Sequence, residues 1–97
     1  MIHARKDYTD RIQDKAKKIP AKEPVFLLRG QDEVGHKAVR AWAYLHQLNG
    51  GSDVAYSLAM AHANAMEVWA KKHGKKADVP PEALPLDHPY YRKPKRK

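Results

Sequence analysis

The stretch from Ser52 to His73 constrains this chain more than any other, because its apolar residues fall on more than one face of a single helix. Val54, Leu58, Ala61, Ala65 and Val68 recur at alternating steps of four and three, the spacing of an amphipathic seam. Ala55, Ala59, His62, Met66 and Trp69 form a second row beside it, and Tyr56, Met60, Ala63 and Ala70 begin a third. Only Ser57, Asn64 and Glu67 interrupt the pattern. A helix that is apolar nearly all round must be covered nearly all round. With 97 residues and one other strong helical pattern, the chain has little to cover it with. The expectation is a homo-oligomer assembled through Ser52–His73.

The second helix is read over Glu33 to Leu48, with Asp32 as its N-cap and Val34, Ala38, Ala41, Trp42, Leu45 and Leu48 as its buried face. Asn49-Gly50-Gly51 stops it, and Ser52 caps the next helix at once, so the two helices form an antiparallel hairpin. Upstream, His3 to Ile19 reads as a polar helix closed by Pro20, with Tyr8, Ile12 and Ile19 as a thin apolar stripe. Pro20 and Pro24 keep the following connector extended. It leads to Val25-Phe26-Leu27-Leu28, and no other stretch offers that run a strand to pair with. It is therefore expected to lie in a groove between helices, held by Phe26 and Leu28. The fold class is all-α: a short N-terminal helix, an extended connector and a helical hairpin, forming one domain over residues 1–74. A disordered, proline-rich basic tail over 75–97 follows, and copies assemble into a helical bundle.

Composition removes several kinds of chemistry. There is no cysteine, hence no disulfide, thiolate metal site or cysteine nucleophile. The six histidines include no HExxH pair and no two spaced four apart on one helix face, so no metal is expected. Ser52 and Ser57 have local helical duties, and Gly50-Gly51 lacks the lysine and hydroxyl residue of a phosphate loop. The expectation is a protein that is not an enzyme and needs no cofactor. The N-terminus leads into charge, and no run approaches eighteen apolar residues, which points to a cytoplasmic protein without a membrane segment. The formal net charge is +8, and Arg92-Lys93-Pro94-Lys95-Arg96-Lys97 concentrates part of it at the end. That end suits nucleic acid or another polyanion, and solubility alone accounts for it equally well.

Binding has better candidates. Tyr8 stands among Arg5, Lys6 and Arg11, and an aromatic ring beside cations offers stacking for a base and charge for a phosphate. The alternative is that Tyr8 packs the first helix down. Lys22 lies on the connector. Arg29 follows it and either faces a ligand, pairs with Asp32 or caps a helix end. Asn64 is a polar break in an apolar helix and needs a partner, either its symmetry mate or a ligand.

Taken together, the polar segment with Tyr8, the connector Ile19-Pro20-Ala21-Lys22-Glu23-Pro24-Val25-Phe26-Leu27-Leu28-Arg29-Gly30-Gln31-Asp32 and the hairpin ending in Asn64-Ala65-Met66-Glu67 resemble the small phage anti-CBASS sponge proteins. The resemblance spans roughly residues 4 to 70 and rests on layout. It implies a compact helical homo-oligomer that binds cyclic dinucleotides, and in some members cyclic trinucleotides, without cleaving them. Host anti-phage signalling is thereby starved of its messenger in the host cytoplasm. By type and place, Tyr8 and Lys22 match the tyrosine and lysine that hold the cyclic dinucleotide in that family. Arg29 and Asn64 are carried only as guesses for a trinucleotide site. The basic tail has no counterpart, which leaves room for DNA or RNA binding through the first helix and Arg92–Lys97. A purely structural interaction module is the third reading.

Overall fold

The computed structural model describes residues 1–76 and 83–91. The chain is mostly helical, with three α-helices and a small parallel sheet: β1 (Ile2–His3), α1 (Lys6–Arg11), β2 (Pro24–Val25), α2 (Gly35–Leu48) and α3 (Asp53–His73), then a 3₁₀ turn at Pro89–Tyr91. It divides into two compact units, one containing residues 1–27 with 83–91 and the other residues 28–76. The Pro80-Pro81 pair and the basic end Arg92–Lys97 lie outside the described residues.

The second unit is the hairpin expected from the repeat of apolar residues. α3 begins where Ser52 places it, the hydroxyl accepting a hydrogen bond from the Ala55 N–H at 3.1 Å. It ends with Lys71, Lys72 and His73 in the last turn, where cations favour the negative end of the dipole. α2 stops at Gly50, whose φ of 84° is open to glycine at little cost. Asp32 is not the N-cap but lies two residues before it, because α2 begins at Gly35 and not at Glu33. Its carboxylate accepts from the Val34 N–H at 3.0 Å, and Val34 is the residue that caps α2. A methyl group on Gly35 would sit 2.9 Å from the Arg29 carbonyl and 3.3 Å from the Met66 methyl, so this glycine marks a close approach.

The face of α2 that packs differs from the one expected. Val34, Ala38, Ala41, Trp42, Leu45 and Leu48 are all exposed, while Gly35 and Ala43 are buried and His36, Val39, Arg40 and His46 half-buried. On α3 the buried positions are Ala63 and Met66. The reason is competition among faces. α3 offers apolar residues on three sides, and the side chosen lets two wholly buried alanines, Ala43 and Ala63, sit in the helix contact. A charged pair then fixes the register: Arg40 donates to Glu67 Oε1 at 2.6 Å and to Asn64 Oδ1 at 2.9 Å.

The first unit corrects the sequence reading more deeply. The polar helix is six residues long, not seventeen, and two short strands stand where an all-α chain was expected. Beyond Arg11 a continued helix would have almost nothing to bury. Asp14 provides an alternative, its carboxylate accepting from the Ile19 N–H at 2.7 Å and its carbonyl from the Lys17 N–H at 3.1 Å. Lys17 takes a positive φ of 55° in that turn. The connector finds its partner strand at the very N-terminus, with Ile2 opposite Pro24 and His3 opposite Val25. The terminal ammonium secures the pairing by donating to the Pro20 and Ala21 carbonyls at 2.9 and 2.7 Å. Part of the expected tail joins in as well: Ala83 bridges Arg5, and the Leu84 N–H donates to the Ala4 carbonyl at 2.8 Å.

Candidate functional site

The first unit is organised around His3. Its side chain is 1 % exposed, with its ring edge-on to Tyr8 at 5.0 Å and tilted against Phe26 at 4.8 Å. Its Nδ1 accepts the Arg5 N–H at 2.9 Å, which fixes that nitrogen as unprotonated. Its Nε2 makes no hydrogen bond of good geometry among the described residues. The His3 backbone exchanges hydrogen bonds with the Thr9 hydroxyl, tying β1 to α1. Burial lowers the His3 pKa below the ordinary histidine value, and the Arg5 charge pushes the same way. The Leu27 carbonyl and Asp7 oppose the shift without reversing it.

Tyr8 is placed differently from an exposed stacking ring. It is 6 % exposed, and the Arg5 guanidinium lies 4.1 Å from its ring centroid. Arg5 in turn grips Asp7 through two bonds of 3.2 and 2.9 Å, which lowers the Asp7 pKa. Tyr8, Arg5 and His3 thus form one packed stack. Phe26, expected as a groove anchor, is instead the ring most open to solvent among the described residues of this unit, at 71 % exposed. Phe26 lines an apolar hollow of about 300 Å³ with Ile2, Ala4, Val25, Leu84 and Tyr91. Strand alternation explains the split: Ile2 and Ala4 turn to the hollow, and His3 between them turns to the stack.

Apart from Arg5, several cations of the same unit are disengaged. Arg11, at the end of α1, and Lys15, Lys17, Lys18 and Lys22 are exposed, and none of their side chains has a carboxylate or hydrogen-bond partner among the described residues. The acids that would oppose them are partly occupied, Asp7 by Arg5 and Asp14 by its turn.

Arg29 and Asn64 belong to the other unit. Arg29 is exposed, and its carbonyl accepts the Asp32 N–H in the turn before α2. Asn64 has its partner within the chain, Arg40, so neither a symmetry mate nor a ligand is required to satisfy its oxygen. Glu67 completes that cluster. Its pKa is lowered, first by the hydrogen bond from Arg40 and then by that from Lys71. The sequence reading missed both His3 and Phe26. The only signal for Phe26 was a lone phenylalanine at the end of the connector. None existed for His3, whose burial depends on a strand pairing more than twenty residues away in sequence.

Among the described residues, no three His, Cys, Asp or Glu side chains are grouped as a metal site would need, and no helix is long and apolar enough to cross a membrane. Compared with family models, curated proteins and solved structures, the chain finds no match.

Proposed function

We propose that this chain is a non-catalytic, self-associating sponge for cyclic di- or trinucleotides, sequestering an anti-phage messenger in the cytoplasm of an infected host. One observation carries the reading: an exposed aromatic ring, Phe26, beside an apolar hollow, in a unit whose exposed cations are disengaged. A flat ring stacks on a base and cations hold phosphate, and neither requires a group that does chemistry. The hollow is at the small end of ligand sites, a size for one base rather than a whole dinucleotide. In this arrangement Phe26 takes the stacking role that the resemblance assigned to Tyr8, and Tyr8 supports it through Arg5 and His3. Lys22 and Arg11 supply charge. The α3 helix meets another copy, so that one short chain yields several equivalent sites.

Calorimetric titration of the full chain with a panel of cyclic di- and trinucleotides tests the proposal. Phe26→Ala and Lys22→Ala should each weaken binding at least about tenfold, a loss of about 1.4 kcal/mol, without changing helix content. No heat with any member of the panel would overturn it. Steeply salt-dependent binding to DNA or RNA instead would move the assignment to a polyanion binder.

A further inference from the structure

The contact between α2 and α3 is crossed by a polar cluster in which two residues of α2 compete for a single carboxylate of α3. Arg40 donates from one guanidinium nitrogen to Glu67 Oε1 at 2.6 Å and to Asn64 Oδ1 at 2.9 Å. Its other terminal nitrogen reaches back one helical turn to His36 Nδ1, also at 2.6 Å. A guanidinium has only protons to give, so Nδ1 accepts here, and the His36 ring is neutral with its proton on Nε2. The same Nδ1 stands 3.6 Å from Glu67 Oε1. That is too far for a good hydrogen bond, yet it is ion-pair distance for a charged ring. The His36 side chain is only 12 % exposed, so water has little access to take the place of either partner.

We infer that His36 is a proton-driven exchange partner for Glu67: a ring protonated at Nδ1 loses Arg40, pairs with Glu67 Oε1 in its place, and displaces the guanidinium from the helix contact. Protonated Nδ1 and the Arg40 nitrogen are both donors and both cationic, and two such groups do not stay 2.6 Å apart. Because the guanidinium is a rigid plane, moving one terminal nitrogen moves the other, and with it the bonds to Glu67 and Asn64.

The surrounding charges leave Glu67 as the ring's new partner. On α2 the charged neighbours of His36 in sequence are Glu33, Lys37 and Arg40, and in the turn before it Arg29 and Asp32. Asp32 is committed to the Val34 N–H, and from α3 Lys71 holds the other oxygen of Glu67 at 3.3 Å. Arg40 first and then Lys71 lower the Glu67 pKa, which keeps that carboxylate ionised where a histidine changes charge. Glu67 has two cationic partners before the exchange and two after it. Proton uptake therefore changes which residue of α2 clasps α3, and frees Arg40 and the exposed Asn64, without unfolding the hairpin. None of this depends on the nucleotide or the self-association proposed above.

NMR of the ¹⁵N- and ¹³C-labelled full chain tests the exchange directly. At high pH the His36 ring should be the Nε2–H tautomer, and the Arg40 guanidinium protons should be protected. As His36 titrates, those protons should exchange with water at least about tenfold faster, the change expected when a charge-assisted hydrogen bond is lost. The Asn64 side-chain amide and the Glu67 carboxyl carbon should shift with the His36 midpoint. In His36→Gln an amide oxygen accepts from Arg40 without titrating, so Arg40 should stay protected over the same pH range with helix content unchanged. If that variant does not fold, the wild-type titration still decides. A ring protonated at Nδ1 at high pH would overturn the inference, as would an Arg40 that stays protected while His36 titrates or is released at a different midpoint. An Arg40 transition that persists unchanged in His36→Gln would overturn it as well.

Discussion

The two units solve opposite problems. Residues 1–27 with 83–91 carry little regular structure yet close around a buried histidine, and their long-range hydrogen bonds run between backbone groups far apart in sequence. Residues 28–76 hold the long helices yet bury only small residues and one methionine, leaving Trp42, Leu45, Leu48, Leu58 and Trp69 more than half exposed. Regular structure and a sufficient core are therefore separate properties. A helix satisfies its backbone by itself, but its apolar faces need a second surface. The irregular unit shields its stack within one chain and leaves Phe26 as the most exposed ring beside its hollow. The helical unit leaves its largest side chains exposed.

The largest expected effect breaks the helical unit at its one sizeable buried side chain. Met66→Ala should cost about 2 to 4 kcal/mol, read as a lowered midpoint in urea unfolding at fixed protein concentration. A change below about 1 kcal/mol would mean that the hairpin contact contributes little and that contacts between copies dominate.

The irregular unit should respond to acid first. His3 is held neutral, with its folded pKa below the unfolded value, so its contribution is fully present above about pH 6.5 and is lost as pH falls through the lower folded value. The depressed Asp7 and Glu67 have the same sign but act lower, in the carboxylate range. His3→Asn keeps an acceptor for the Arg5 N–H and cannot titrate there. It should flatten the stability profile below about pH 6.5 while lowering stability at neutral pH by roughly 1 to 2 kcal/mol through lost ring packing. An unchanged pH profile in the variant would separate acid sensitivity from His3.

Arg40→Met sharpens the comparison within the hairpin. It removes the guanidinium from Glu67 and Asn64 at a partly exposed edge, where solvent screens the charges, so the unfolding midpoint should fall only slightly. The Glu67 titration, followed by NMR, should move back up toward the ordinary carboxylate value. The smallest effect is a gain: Lys17→Gly relieves a positive φ and should raise the unfolding midpoint by an amount worth about 0.5 to 1 kcal/mol. No gain would show that this turn is not a point of strain.

The sequence by itself determined the long helices. Ser52 as a cap, Gly50 as a stop, cations in the last turn and apolar recurrence at steps of three and four are local signals, and α3 stands where they place it. It also determined that α3 is apolar on several faces, because that follows from counting residues. Only the tertiary structure decided which face the two helices share, since three competing faces were all apolar and the choice fell to Ala43, Ala63 and the Arg40 to Glu67 pair. The candidate site was legible in its cations but not in its aromatic ring. Whether Tyr8 or Phe26 faces solvent depends on β1 pairing with β2 across about twenty residues, and a two-residue strand leaves no periodic signal to read. Local hydrogen bonds and capping act within a few residues and are written in order along the chain. Burial is settled by contacts between distant segments, and at His3 and Phe26 those contacts alone assigned the inside and the outside.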